Sequence, residues 1–224
     1  MTNFPFATIG FDLDGTLVDS NLDLLPAMNH TLELAGRSPL DYEQSKRIIG
    51  GGTREMLQRA LLHTGGPIAE TEMDALLEQH FTYYEAHLAD NTVPFDGVLA
   101  TLDNLRERGV RLALVTNKIE RFARKLVEAL DMIHYFDCVI GGDTLGPGRA
   151  KPAPDMVREA IGRCGGHSNF VMVGDSRFDV EAAHAAGVPC VAVTFGYRDR
   201  PAEELGADRL IDHYDQLIPA LEQL

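Results

Sequence analysis

The chain has 224 residues, 45% hydrophobic and 24% charged, and its 34 acidic side chains against 20 basic ones give a formal net charge of -14. That composition describes a globular protein with room for one sizeable core, or a core plus a modest insertion. So acidic a surface argues against nucleic acid or an anionic membrane as partner, and any site for a phosphorylated ligand must be made locally positive by a metal ion, a lysine or helix N-termini.

Residues 1–6 lack the basic-then-apolar pattern of a secretion signal, and no segment approaches the ~20 apolar residues of a membrane helix, so a cytoplasmic location is expected. The first apolar run, residues 7–11, is short and stops at an Asp/Gly-rich turn, which marks a buried strand. From residue 21 to 89 the pattern is helical only. Leu22, Leu25, Met28, Leu32 and Leu34 recur near helical spacing, and Gly36 is placed to end that helix. Ser38-Pro39-Leu40-Asp41 predicts a helix start, with Ser38 as N-cap and Pro39 at the first helical position. Gly50-Gly51-Gly52 breaks the chain before a stripe of Met56, Leu57, Ala60 and Leu61. A further helix is predicted over 71–88, with Met73, Leu76, Leu77, His80, Phe81 and Tyr84 on one side.

After Val93-Pro94-Phe95-Asp96-Gly97 helices and strands alternate. The pattern predicts helix 98–108, strand 111–115, helix 121–130, strand 137–140, helix 155–164 and strand 170–173. It continues with helix 180–186, strand 190–193, a short strand at 210–211 and a closing helix over 216–224. Such alternation, with near-continuous apolar strands, predicts an α/β fold with a doubly wound, Rossmann-like parallel sheet. The expected division is a core of residues 1–20 and 90–224, with a helical cap over 21–89. Cys138, Cys164 and Cys190 are widely spaced and read as small core residues in a reducing compartment.

In an open parallel sheet, ligands bind beyond the carboxyl ends of the strands. There the sequence collects Asp12 and Asp14, Thr116 and Asn117, Lys151, Asp175 and Asp179. These residue types suit phosphoryl transfer with Asp12 as a nucleophile that forms an aspartyl phosphate. A carboxylate attacking a phosphate dianion needs charge neutralised, which Mg2+ supplies if Asp12, Asp14 and Asp175 offer hard oxygen ligands. Lys151 neutralises more, and Thr116, Asn117 and the backbone N–H groups of the 12–16 turn are placed to bind phosphate oxygens. Asp14 is the candidate general acid/base, and Gly15 lets the turn close tightly. In the helical segment, Gly51, Gly52, Thr53 and Arg54 are candidate substrate residues, because a glycine loop entering a helix presents free N–H groups to a small anion. The other reading of that loop is a hinge beside a solvated arginine. The eight histidines show no metal-binding spacing and read as surface or helix residues.

Asp12-Leu13-Asp14-Gly15-Thr16-Leu17-Val18-Asp19 resembles the first signature of the haloacid-dehalogenase-like (HAD) hydrolase superfamily. Leu114-Val115-Thr116-Asn117 is similar to its second, Lys151-Pro152 to its third and Gly174-Asp175-Ser176-Arg177-Phe178-Asp179 to its fourth. The resemblance implies that Asp12 is the nucleophile, Asp14 the general acid/base, and Thr116 and Lys151 phosphate binders. It also implies that Asp175 binds Mg2+ beside Asp12 and the main-chain carbonyl of Asp14, with Asp179 supporting the metal's water shell. Residues 49–57, 116–118, 195–198 and 205–208 look like stretches of the bacterial phosphoglycolate phosphatases within that superfamily. The implied enzyme is a monomer or homodimer that hydrolyses a small phosphomonoester, 2-phosphoglycolate before other sugar or amino-sugar phosphates. A beta-phosphoglucomutase-like phosphomutase would keep both aspartates and stays an alternative. A dehalogenase needs neither Asp14 nor magnesium. A receiver-like phosphoacceptor is far shorter and lacks the insertion, and a silent binding module would not fill every chemical position.

Overall fold

The computed structural model describes residues 4–166 and 169–224. Residues 1–3 and 167–168, which fall in the ranges expected for the core, lie outside the described residues, and His167 with them. The chain opens with β1 (Thr8–Phe11) and β2 (Val18–Asp19), then runs through α1 (Asn21–Leu34), α2 (Tyr42–Ile48), α3 (Thr53–Thr64) and α4 (Glu70–His87). It continues through β3 (Val93–Pro94), α5 (Val98–Glu107), β4 (Arg111–Val115), α6 (Glu120–Ala129) and β5 (Cys138–Ile140). The last third holds α7 (Asp155–Arg163), β6 (Phe170–Gly174), α8 (Arg177–Ala186), β7 (Cys190–Val193), β8 (Arg209–Ile211) and α9 (Leu217–Leu221).

Six strands form a parallel sheet in the order β5-β4-β1-β6-β7-β8. The chain builds outward from β1 to β5 on one side, then returns to β6 on the other. The strand order therefore reverses at β1, and ligands in such sheets bind at that crevice. Alternate side chains of the strands feed two apolar layers. Leu112, Leu114, Val171 and Val173 join one, while Ala113, Val115, Phe170 and Met172 join the other. Both faces are covered by helices, which is why the strands are apolar throughout rather than alternating.

Some boundaries differ from the sequence expectation. The second helix begins at Tyr42, with Asp41 rather than Ser38 as its N-cap. Asp41 accepts from Gln44 N at 2.8 Å while Gln44 Oε1 accepts from Asp41 N at 2.9 Å, a reciprocal capping box. Leu40 is meanwhile held out of the helix by Asn29, which bonds both its N–H and its carbonyl. The last helix, Leu217–Leu221, is shorter than predicted: a 3-10 turn at Tyr214–Gln216 precedes it, and it ends at its cap Glu222. His80, expected at the surface or on a helix, lies on α4 but is buried. Cys164 and Cys190 are buried thiols, and Cys138 is half-buried with its Sγ 3.5 Å from that of Cys164.

Strands β2 and β3 were not expected. They pair antiparallel, Val18 with Pro94 and Asp19 with Val93, and so bring together the entry and exit of the segment holding α1–α4. Just above this ribbon Asp23 is buried and accepts from Asn91 N, Asn91 Nδ2, Thr92 N and Thr92 Oγ1 at 2.7–3.0 Å. Burial works against its charge, but the Thr92 hydroxyl and the Asn91 and Thr92 N–H groups outweigh burial and hold its pKa below the ordinary carboxylate value. Replacing Asp23 by Ala strands several donors, so Asp23→Ala should lower the unfolding free energy by about 2–3 kcal/mol. Because the folded pKa is depressed, that stabilisation is present above about pH 4 and is lost as pH falls through the folded value. Denaturant melts of both proteins from pH 7 down to 3 check this; a gap that stays constant or widens in acid contradicts it.

Candidate active site

Asp12 is the first residue past the apolar part of β1, and its N–H still donates to Val173 O at 2.9 Å, so the sheet itself fixes its position. The chain then turns back through bonds from Leu17 N and Val18 N to Leu13 O, anchored by fully buried Leu13 and Leu17. Gly15 sits in this turn at φ 83°, where a Cβ would come within 2.8 Å of the Tyr197 ring and press on Asp175. Only glycine allows that approach. Asp175 follows β6 directly and accepts from Thr16 Oγ1 at 3.1 Å and from Tyr197 N at 2.5 Å.

Lys151 is buried, and its ammonium lies 3.0 Å from Asp12 Oδ1, 2.5 Å from Asp179 Oδ1 and 2.7 Å from Val115 O. Two of its N–H groups donate to Asp179 Oδ1 and Val115 O, and the third is left on the Asp12 side of the cavity. Burial works against the ammonium, but Asp12 and Asp179 outweigh it and hold its pKa above the usual lysine range. Asp179 is fully buried, and its Oδ2 takes bonds from Asp175 N, Ser176 N and Ser176 Oγ. Asp179 therefore positions Lys151 and the 174–176 turn at once. Asn117, expected to bind phosphate, donates its side-chain amide to Lys151 O at 2.8 Å, which makes it a support for the lysine loop. Thr116 is buried, lines the cavity, and accepts from Lys118 N at 3.2 Å.

Among the described residues, one carboxylate oxygen each from Asp12, Asp175 and Asp179 lie within 4.8 Å of one another. Burial pushes Asp12 up to about 6, with Lys151 working the other way and Asp179 adding to the rise. Burial also pushes Asp175 well above the ordinary value, with Asp179 and Asp12 adding to it. Four carboxylates (Asp12, Asp14, Asp175, Asp179) face two buried ammonium groups (Lys118, Lys151), which leaves an excess of two negative charges. Asp12 Oδ1 is buried and faces the Lys151 ammonium at 3.0 Å as an ion pair, without an aligned hydrogen bond among the described residues. Hard oxygen donors carrying that charge fit a divalent cation. The Asp14 carboxylate is turned away to Lys118, so of that residue only the main-chain oxygen is left for such an ion.

Lys118, given no separate role from sequence, is the second buried cation of the site. Its ammonium bonds both Asp14 oxygens, at 2.9 and 3.1 Å, and lies 4.7 Å from the centre of the Tyr84 ring. Tyr84 belongs to α4, so this contact joins the inserted helices to the sheet end. Phe122 of α6 packs edge-on against Tyr84 and tilted against Phe81, with ring centres 5.7 Å apart in both cases. The adjacent His80 Nδ1 lies 3.1 Å from Thr31 Oγ1, whose own proton goes to Ala27 O at 2.9 Å. The run Thr116-Asn117-Lys118 carried the signal for Lys118, but its pairing with Asp14 depends on a separation of 104 residues.

The helical wall of the cavity is formed by Leu24, Ile49, Met56 and the loop of Gly50, Gly51, Gly52 and Thr53. Gly50, Gly51 and Gly52 all have positive φ, so the loop enters α3 with its backbone facing the cavity mouth. Arg54 does not face it. Its guanidinium pairs outward with Glu70 at 2.5 Å and with Asp74, which corrects the expectation that Arg54 touches substrate. The α4 carboxylates supply partners at the surface that the cavity does not.

The charge excess predicts that a divalent cation stabilises the fold. Raising Mg2+ to about a hundred times its Kd should add about 2.7 kcal/mol to the unfolding free energy. Thermal melts read this directly, and Asp175→Asn should shift much less; equal shifts in both proteins would contradict the site.

Comparison with known proteins agrees with this geometry. The family model described as haloacid dehalogenase-like hydrolase matches residues 9–193. The phosphoglycolate phosphatase of Agrobacterium fabrum is 40% identical over 223 residues, 99% of this chain and 95% of that one. That of Caulobacter vibrioides is also 40% identical, over 93% of this chain and 87% of that one. Among solved structures, a predicted phosphoglycolate phosphatase from Haemophilus somnus superposes with a TM-score of 0.89 at 30% identity, covering 96% of this chain and 97% of that one. CbbY from Rhodobacter sphaeroides, solved in complex with phosphate, gives a TM-score of 0.81 at 26% identity, covering 97% of this chain and 99% of that one. The chain belongs to the haloacid dehalogenase-like hydrolases.

Proposed function

We propose that this chain hydrolyses 2-phosphoglycolate to glycolate and phosphate with Mg2+ as its cofactor, through an aspartyl phosphate on Asp12. It is a phosphoric monoester hydrolase by its family and by the curated relatives it matches. The observation that carries the finer reading is the pairing of Asp12 and Asp14 at the end of β1, each held by its own buried lysine.

In the proposed reaction an Asp12 oxygen attacks phosphorus while the bond from phosphorus to the glycolate oxygen breaks. Lys151 and the Thr116 hydroxyl bind the phosphoryl oxygens, and Asp14, which takes up a proton as the substrate binds, gives that proton to the leaving oxygen. Water then attacks the aspartyl phosphate, Asp14 takes the proton from that water, and the Asp12–phosphorus bond breaks to free phosphate. Asp12, Asp175 and the Asp14 main-chain oxygen would hold Mg2+, which when bound would neutralise the negative charge that gathers as two anions meet. Asp179 keeps Lys151 and the Asp175 turn in place. Residues 21–89 act as the cap, with Gly51, Gly52 and Thr53 on its substrate side.

The names of the curated relatives support phosphoglycolate over other small phosphoesters, and the cavity mouth between the 50–53 loop and Phe178 suits a compact molecule. A panel of 2-phosphoglycolate, beta-glucose 1-phosphate, pyridoxal phosphate and N-acetylmuramic acid 6-phosphate should give the highest kcat/KM for the first, suppressed by chelation and restored by Mg2+. Isomer formation from the glucose phosphate in place of phosphate release would favour a phosphomutase. Asp12→Asn should remove turnover altogether, whereas Asp14→Asn should slow it by about 100- to 10,000-fold, the range of a lost general acid/base. Wild-type rates from the Asp12 variant would overturn the nucleophile assignment.

A further inference from the structure

The carboxylate of the proposed substrate needs a partner that the phosphate-binding residues do not provide. Arg54 is turned outward to Glu70 and Asp74. Lys151 is held by Asp179 and the Val115 carbonyl beside Asp12, where the phosphoryl group takes up its remaining capacity. Among the described residues lining the cavity, the one other lysine or arginine is Lys118.

Lys118 is built into the wall rather than solvated. Its side chain is 6% exposed, packed along Tyr84, and it carries a charge that burial opposes and Asp14 restores. An ammonium has three N–H groups, and Asp14 can occupy at most two of them. The Tyr84 hydroxyl lies in the same wall beside that ammonium, its residue is 3% exposed, and its own proton meets no acceptor among the described residues. A buried phenol with an unplaced proton is costly unless something else accepts it. One acceptor beside Tyr84 and Lys118 would satisfy both groups. That acceptor must be small, because the His80 and Phe122 rings pack on either side of Tyr84 in the same lining, and anionic, because a neutral oxygen would leave the spare ammonium N–H less well served.

We propose that Lys118 and Tyr84 form the subsite that recognises the carboxylate of the substrate, with Lys118 bridging it to Asp14. The Lys118 N–H left free by Asp14 and the Tyr84 hydroxyl both donate to the carboxylate. This deepens the phosphoglycolate reading and rests on it. It places the specificity for an acid on α4 and on the loop after β4, and gives the 50–53 loop the part of a mouth rather than an anion site. Since Tyr84 comes from the inserted helices and Lys118 from the sheet end, a carboxylate in this position also bonds both sides of the cavity at once. An alcohol of the same size would not do so equally well.

The test compares 2-phosphoglycolate with 2-hydroxyethyl phosphate, which replaces the carboxylate by an alcohol and keeps the phosphate ester. Both are assayed with Mg2+-replete wild type, Lys118→Met, Lys118→Arg and Tyr84→Phe. Wild type should prefer phosphoglycolate in kcat/KM. Lys118→Met should lower that preference by about 30-fold and Tyr84→Phe by about 10-fold, the range of a lost hydrogen bond to a charged group. Lys118→Met also loosens Asp14, so rates on both substrates fall; the ratio between them is the quantity that isolates the carboxylate. Lys118→Arg should recover part of the ratio. Tyr84→Phe keeps the ring against Phe122 and tests the subsite even where a lysine variant folds poorly.

A wild type without preference for the acid would overturn both the subsite and the substrate reading. A wild-type preference that survives Lys118→Met and Tyr84→Phe unchanged would overturn the subsite alone, leaving Lys118 as a positioning residue for Asp14.

Discussion

Four carboxylates crowded onto the end of a buried parallel sheet is the constraint around which the rest of this molecule is organised. Two of them, Asp12 and Asp175, are driven toward the neutral form by burial and by their acidic neighbours. Left alone they would take up protons or push the turns apart. Lys151 works against this at Asp12 and Lys118 pairs with Asp14, by different means. Lys151 is a strut held from behind by Asp179 and the Val115 carbonyl, with its charge set beside Asp12. Lys118 holds Asp14 and retains capacity to bond something else. A chain whose net charge is strongly acidic thus keeps the buried ammonium groups of its described residues, Lys118 and Lys151, together at the sheet end.

The topology explains why these groups meet. The strand order reverses at β1, so the loops after β4 and β6 flank the loop after β1 without crossing it. Each short loop needs only its first or second residue to reach the crevice, which is why Asp12, Thr116 and Asp175 all stand directly beyond their strands. The support then comes from farther away in sequence. Tyr197 closes over Asp175 through its N–H and bonds Asp19 through its hydroxyl at 2.6 Å, tying the loop after β7 to the ribbon below the inserted helices.

Much of this was legible in sequence because it depends on local signals. The apolar strands, the glycine in the tight turn and the polar residue at each strand end are read within a few positions. What escaped is set by pairing across long separations. The β2–β3 ribbon has two residues per strand and no periodicity to detect, and Asp23 looks like an ordinary first-turn acid until Asn91 and Thr92 fold onto it. Asp41 displaced Ser38 as a cap because Asn29 captures Leu40. Arg54 follows a glycine loop that enters a helix, a convincing local context for an anion. Its direction was decided by two acids on another helix, Glu70 and Asp74.

The same distinction explains how enclosure and chemistry are coupled. The inserted helices touch the sheet end through Tyr84 and Phe81 on Phe122, and through Lys125 bonding the Glu85 carbonyl at 3.0 Å. The aromatic contacts are apolar and tolerate small rearrangements, whereas the Lys118 ammonium between Asp14 and Tyr84 does not. Moving α4 away would expose that ammonium to water and weaken its hold on the acid beside the reacting centre, since electrostatic interactions lose strength as the local dielectric rises. Bringing α4 in restores it. The hold of Lys118 on Asp14 therefore depends on contacts with a helix far from both in sequence.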